Sequence, residues 1–398
     1  MYRISRRHFL QFAGSTLATL GLSQLNIQQA ERYGKVLAKS TPRKLALLVG
    51  INQYPYPDAL EGCVNDVELQ RHLLIYRFGF NPKDIYTLTD AQATRSGILD
   101  AFEEHLIKQA KPGDVVVYHY SGHGSQVLDP DSIAVNSTDP DGKLSGTFVP
   151  VNSSLPVGYP EKGGIVQDIM GHTLFLLMLA IPTENFTAVL DSCFSGAATR
   201  LFRVRAREGG SNLQISPDEK LYQEMWLSRL KLSREEFIKR YRAGAAKGIV
   251  LAATNPKQKA IDAQLNGFNA GLFTYLLTSY LWQHTSTPES AIAFTRQNIP
   301  GKFDQTPYAD IKVGSGYEKQ PIYFINTPSP TAEAVVTEVN GNQAKLWLGG
   351  VDLDAIDNGT VFSAIDGKGK VTMRSRNGLV GDATVEGVVK PGMLLRKA

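Results

Sequence analysis

With 398 residues, 42% hydrophobic and 20% charged, the chain has material for two or three domains, or one large domain with appendages, and its composition excludes global disorder. Residues 1–44 carry eight Lys/Arg against one acid, Glu31, and residues 200–247 carry twelve against six, so a formal net charge of +4 leaves the remaining body at −9. An acidic body argues against a nucleic-acid-binding surface and suits a cationic substrate.

Residues 1–30 form a basic head. Ser5-Arg6-Arg7-His8-Phe9-Leu10 precedes a mildly apolar run, Phe12 to Leu22, too short and too rich in Gly, Ser and Thr to span a bilayer well. Twin arginines resemble an export signal of the twin-arginine type, to the periplasm or its equivalent; a solvated basic tail and a retained anchor are the other readings. Residues 31–43 read as a linker, and no later stretch is long and apolar enough for a transmembrane helix. Lys44 to Ile51 reads as a buried strand. A helix opens at Gly62-Cys63-Val64-Asn65-Asp66, with Asn65 and Glu68 at capping-box spacing, and closes at Gly79. A strand at Ile85–Leu88, a helix at Thr94–Ala110 and a strand over 114–121 follow. Asp129 to Pro150, rich in Gly, Pro, Asn and Asp, reads as a loop. A short apolar helix at Thr173–Ile181 leads into the strand Phe186–Leu190. Residues 200–247 read as an exposed basic loop and a surface helix from about Glu219 to Arg242. A strand at Gly248–Ala253, helices at Leu272–Trp282 and from Thr287, and a last strand at Pro321–Ile325 complete the alternation. This predicts an α/β fold, a mostly parallel sheet with helices on both faces. After Asn326 four short strands with Asn-Gly and Asp-Gly turns predict a small all-β module over 326–398 with a docking or structural role.

Two residues at strand ends carry the chemistry. Cys193 follows the run Val189-Leu190-Asp191-Ser192, and His123 follows Tyr118-His119-Tyr120-Ser121-Gly122 with glycine on both sides. Open α/β sheets place sites outside the carboxyl ends of their strands. A thiol there needs a base, because a free thiol is mostly protonated at neutral pH, and a Cys–His dyad supplies one. The backbone N–H groups of Gly124 and Cys193 are candidate donors to the oxyanion that attack on a carbonyl would create. Two cysteines, Cys63 and Cys193, do not make a disulfide scaffold in a chain this long; a bridge between them would mask the thiol.

Tyr120-Ser121-Gly122-His123-Gly124-Ser125 and Asp191-Ser192-Cys193-Phe194-Ser195-Gly196 resemble the two active-site signatures of metacaspases. With the opening strand and Gly62-Cys63-Val64-Asn65-Asp66, the pattern over residues 44–325 resembles most the bacterial members called orthocaspases. The animal-caspase signature around the nucleophile is absent. The resemblance implies a caspase-like fold: a large portion over 44–199, the basic insert over 200–247 and a small portion over 248–325. It implies an endopeptidase cutting after Arg or Lys. The family's acidic pocket for the basic side chain falls here on Cys63, Asp66, Ser121 and Asp191, and paired carboxylates suit a guanidinium. It also implies self-cleavage in the basic insert, with Arg200, Arg203, Arg205 and Arg207 as candidates.

Many metacaspases bind calcium through several aspartates. The matching positions here hold one acid, Asp168, and Thr147 or Phe148, while Asp129, Asp131, Asp139 and Asp141 lack EF-hand spacing. Activity without calcium is therefore expected, with no cofactor and no metal site. The expected partners are protein or peptide substrates carrying basic residues, with no nucleic acid, and the expected state is a monomer. Two rival readings are a catalytically silent scaffold and a serine hydrolase using Ser195; the latter lacks the G-x-S-x-G turn.

Overall fold

The computed structural model describes residues 42–54, 59–129, 144–193, 203–255 and 258–398. The basic head, most of the linker, Arg200, Ser195, Asp131, Asp139 and Asp141 lie outside the described residues. In chain order the strands of the first part are β1 (Lys44–Gly50), β2 (Ile85–Thr89), β3 (Val115–Ser121), β4 (Gly124–Leu128), β5 (Leu144–Phe148), β6 (Gly164–Val166), β7 (Ile169–Met170), β8 (Phe186–Asp191), β9 (Leu213–Ile215), β10 (Ile249–Ala252), β11 (Asp262–Gln264), β12 (Asn269–Gly271) and β13 (Tyr308–Ile311). The helices are α1 (Cys63–His72), α2 (Arg95–Ala101), α3 (Gly171–Ala180), α4 (Pro217–Leu230), α5 (Arg234–Arg242), α6 (Leu272–Gln283) and α7 (Pro288–Asn298).

Six strands form the central sheet in the order β13-β10-β8-β3-β1-β2, parallel throughout except for β13 against β10. Interior strands buried on both faces need apolar side chains at every position, which is why β1, β3 and β8 read as unbroken runs. Leu45, Leu47, Val49, Tyr118 and Leu190 face one layer, packed under α2, α3, α4 and α5 through Ile98, Leu174, Trp226 and Phe237. Ala46, Leu48, Val117, Val189 and Leu251 face the other, under α1, α6 and α7 through Val67, Leu277 and Ile292. The register pairs Gly50 with Ser121 and Ser121 with Asp191, so β1, β3 and β8 end level with one another. That alignment makes one edge of the sheet a common rim for the residues beyond it.

The second part is a closed six-stranded barrel: β14 (Ala334–Asn340), β15 (Gln343–Trp347), β16 (Val361–Ala364), β17 (Gly369–Asn377), β18 (Val380–Gly387) and β19 (Leu394–Lys397). Closure pairs every strand on both sides and removes the exposed edges a small sheet would carry. Its core residues Val335, Leu346 and Phe362 belong to the same cluster as the α1/α6 face of the central sheet. His72 stacks on Trp347 with ring centroids 4.1 Å apart, and the Gln283 amide donates to the carbonyls of Ala332 at 3.0 Å and Gly350 at 2.8 Å.

Several local expectations change. Helix α1 starts at Cys63 and not at a cap on Asn65. The Asn52 side-chain oxygen accepts the N–H of Cys63 at 2.8 Å and of Val64 at 3.3 Å, while Asn65 donates to the carbonyl of Asn269 at 2.7 Å. A cap supplied from eleven residues away is invisible to local spacing. The expected strand at Pro321–Ile325 is a turn with Phe324 at φ +54°, and the sheet's last strand is β13 instead. The helix expected over 219–242 is two, α4 and α5, separated where Lys231 turns left-handed and Ser233 caps anew. Part of the expected 129–150 loop is strand β5, which pairs with β4. The barrel has two strands, β18 and β19, beyond the four expected.

Candidate active site

His123 sits in the turn between β3 and β4, almost fully buried. Its backbone is held by two tyrosines: its N–H donates to the Tyr54 hydroxyl at 3.0 Å, and its carbonyl accepts from the Tyr120 hydroxyl at 2.9 Å. Both hydroxyls also reach the Val149 carbonyl, at 3.0 and 2.9 Å. The Tyr54 ring lies against the imidazole with centroids 4.5 Å apart. Cys193 lies two residues past β8, fully buried, its sulfur 3.9 Å from the carbonyl of Ala260. Burial pushes its thiol up to about 12; the contact with Ala260 pulls down and the Asp191 charge pushes up further. In this closed arrangement the thiol is protonated, and both cysteines are free rather than bridged.

The first part of the basic insert is not an exposed loop. Residues 203–210 run through the rim as a segment held by isolated β-bridges. On one side Val204 pairs antiparallel with Ile261: the Arg205 N–H donates to Ala260 at 3.0 Å and the Asp262 N–H to Arg203 at 3.1 Å. On the other side Ala206 pairs with Gly124 and Gly210 with Val127, in parallel. The carbonyl oxygen of Arg205 accepts two N–H groups, from Gly124 at 3.0 Å and from Cys193 at 3.1 Å. A Cβ built on Gly124 would lie 2.1 Å from the Cys193 carbonyl, so only glycine allows this approach.

The side chain of Arg205 is fully buried in a ring of acids. Its Nη1 lies 2.6 Å from the Ser121 hydroxyl, 2.7 Å from Asp66 and 3.2 Å from Asp191; its Nη2 lies 2.8 Å from Asp262. Burial pulls the guanidinium's pKa down, but Asp191, Asp66, Cys63 and Asp262 outweigh it and hold the charge well above the ordinary arginine value. Burial drives the Asp66 carboxyl up to about 7, against the pull of Arg205 and with a further push from Asp191. Burial also raises the Cys63 thiol, which Arg205 pulls down. The carboxylates are themselves oriented. Asp191 accepts from the N–H and hydroxyl of Thr274 at 3.0 and 2.6 Å, and Asp66 accepts the Gly271 N–H at 2.9 Å. Gly271 walls the pocket: a Cβ there would lie 2.2 Å from Asp191 and 2.6 Å from Arg205.

The insert's other arginines lie elsewhere. Arg203 is exposed and pairs with Glu61 at 2.6 Å. Arg207 is fully buried 2.6 Å from Asp168, whose carboxylate also accepts from Thr147 and Ser153, each at 2.6 Å. The loop acid Asp129 is buried 3.6 Å from His172. Among the described residues no group of three or more His, Cys, Asp or Glu is arranged to hold a metal ion.

Residues 44–202 match the family described as metacaspase, peptidase C14 domain. Over those residues the chain is similar to the metacaspase peptidase domain. Metacaspase-1 of Scheffersomyces stipitis is 36% identical over 173 residues, 42% of this chain and 39% of that protein. Metacaspase-1 of Schizosaccharomyces pombe is 27% identical over 271 residues, 66% of this chain and 57% of that protein. The chain thus spans 39% and 57% of the length of these curated relatives. Among solved structures, a protein from Geobacter sulfurreducens is 20% identical with a TM-score of 0.48, covering 71% of this chain and 99% of its own. The structure titled pro-sf-caspase-1 is 10% identical with a TM-score of 0.34, covering 68% of this chain and 92% of its own.

The matched residues include His123, Cys193, Cys63, Asp66, Ser121 and Asp191, and the structure brings all six to the rim. Asp262, Gly271 and Thr274 lie beyond the matched residues and were missed by sequence reasoning. The one available signal was an acid inside the apolar stretch Ala260-Ile261-Asp262-Ala263.

Proposed function

We propose that this chain is a cysteine endopeptidase that cuts after arginine or lysine, and that its own Arg205–Ala206 bond is a substrate. One observation carries the reading. The Arg205 carbonyl faces the N–H groups of Gly124 and Cys193 while its guanidinium lies among Asp66, Asp191 and Asp262. An amide so held has the side chain bound and the oxygen already in contact with the donors that charge in the transition state would require.

In this reading His123 takes the thiol proton and the Cys193 sulfur attacks the Arg205 carbonyl carbon. The negative charge that forms on the oxygen is held by the two N–H groups. Collapse breaks the C–N bond, His123 returns its proton to the Ala206 nitrogen, and water then hydrolyses the thioester to a carboxylate. The raised thiol pKa makes His123 a requirement, since a thiol near 12 does not ionise unaided at neutral pH. Specificity follows from charge: three carboxylates around one cavity favour a guanidinium or ammonium and repel aspartate.

We further propose activity without calcium. Asp168 is already satisfied by Arg207, Thr147 and Ser153, so a cation there would have to displace a bonded guanidinium. Full activation by calcium, lost on chelation, would overturn that part.

The test is incubation of the purified chain beside Cys193→Ala, with sequencing of the new amino terminus. Wild type should release a fragment beginning at Ala206, and Cys193→Ala none. Identical fragments from both proteins would sink the self-cleavage reading. Paired Arg-ending and Asp-ending coumarin peptides test the wider activity: hydrolysis of the first alone is expected, and hydrolysis of neither would refute it.

A further inference from the structure

Two residues past Arg205, a second arginine is buried as completely as the first. Arg207 uses its backbone N–H on the carbonyl of Gly124 at 2.8 Å, the same glycine whose N–H meets the Arg205 oxygen. Its Nη2 lies 2.6 Å from Asp168 Oδ2, and its Nη1 donates to the carbonyl of Ser153 at 3.1 Å and to its hydroxyl at 3.3 Å. Asp168 is fully buried and doubly fixed: Thr147 donates to Oδ2 and Ser153 to Oδ1. The Gln167 N–H in turn fixes the Ser153 hydroxyl at 3.1 Å. A carboxylate locked by two hydroxyls presents one oriented face, and a planar guanidinium matches it.

We propose that Asp168, Ser153 and Thr147 form a second guanidinium site, open to substrates, that takes a basic residue two positions after the cleaved bond. The inference rests on the reading of Arg205 as the residue before that bond. Its substrate class is therefore Arg-small-Arg rather than Arg alone, the small residue matching Ala206, which is itself buried. Arg205 and Arg207 both turn fully buried guanidinium groups onto carboxylates of the rim, so a substrate entering as residues 203–207 do delivers both cations there together. Burying a charge that lacks its partner is costly, so an apolar or acidic residue at the second position should be rejected and not merely ignored.

The experiment uses the self-processed full chain and three soluble peptides that differ only in the residue two past the scissile arginine: Arg, Ala or Asp. For wild type, kcat/KM should favour Arg over Ala by about tenfold, with Asp poorer still. In Asp168→Asn the Arg-to-Ala ratio should fall towards one, and in Ser153→Ala it should fall part of the way. Each ratio is internal to one protein, so a general loss of activity does not enter it, and the wild-type ratio decides the matter if a variant fails to fold. A wild-type ratio near one overturns the site, as does an undiminished ratio in Asp168→Asn. An Arg-ending coumarin peptide has no residue at that position and reports the proposed peptidase activity separately; if it is not cut, that reading fails first and this one with it.

Discussion

Arg205 and Arg207 stand two residues apart on one segment, both fully buried, yet their surroundings differ. Arg205 meets three carboxylates, one hydroxyl and one carbonyl; Arg207 meets one carboxylate, one hydroxyl and one carbonyl. The first site carries more negative charge than one guanidinium neutralises, while the second is balanced. An overcharged pocket is a device for demanding a cation, since it is unfavourable when empty. A balanced one orients a cation it has accepted. The difference teaches that burial of an arginine alone says little about its task; the charge left behind when it departs says more.

Three measurements would sharpen or break that contrast. The largest effect concerns stability, measured by denaturant unfolding in the uncut Cys193→Ala background. Arg205→Ala leaves three carboxylates facing one another and should cost about 3 kcal/mol. Arg207→Ala leaves a single carboxylate that keeps two hydroxyl donors and should cost about half that. Equal costs would erase the distinction drawn above.

Next comes Asp191→Ala, which removes one wall of the Arg205 site while leaving the nucleophile two residues away. Hydrolysis of an Arg-ending peptide should fall about 100-fold in kcat/KM, chiefly through KM. A fall confined to kcat would instead place Asp191 in the chemistry.

The smallest effect is on pH dependence. The Asp66 carboxyl titrates near 7 in the closed form, because burial and Asp191 outweigh the pull of Arg205. Below that pH it takes up a proton and the pocket loses one negative charge among Asp66, Asp191 and Asp262. The KM for an Arg-ending peptide should therefore rise as pH is lowered towards about 7, the value of the guanidinium-filled pocket, and level off below it. A KM that is flat from pH 9 to 6 would show that Asp66 does not change charge when the pocket fills.

The residues singled out from the sequence share a property. His123 and Cys193 stand at the ends of apolar runs, where a polar side chain has no reason to be unless it leaves the core. Ser121 and Asp191 terminate the same runs, and the register sets them level across β3 and β8. Asp262 was not legible, because its partner Arg205 is 57 residues away and the pairing that joins them, Val204 against Ile261, is a single isolated bridge. The cap on α1 escaped for the same reason: Asn52 supplies it from a separate loop.

The barrel offers a further case. Its turns announced a β module, and nothing in them announced its neighbour. Arg376 on β17 donates to the carbonyl of Asn266 at 2.9 Å and to its side chain at 2.7 Å, within the turn that joins β11 to β12. That hairpin carries Asp262 at one end and Gly271 at the other, so the barrel buttresses one wall of the Arg205 pocket.

By itself the sequence determined the parallel sheet and the all-β tail and singled out His123, Cys193 and the acids beside them, since each depends on periodicity or on a polar residue ending an apolar run. Only the tertiary structure decided which arginine of the basic insert enters the pocket, and that Arg207 has a site of its own. Alternation along the chain is identical for Arg203, Arg205 and Arg207, so nothing local separates them. The separation arises where the segment 203–210 crosses the rim: the chain leaves Arg203 at the surface against Glu61 and delivers the next two to carboxylates that local sequence had no means of bringing together.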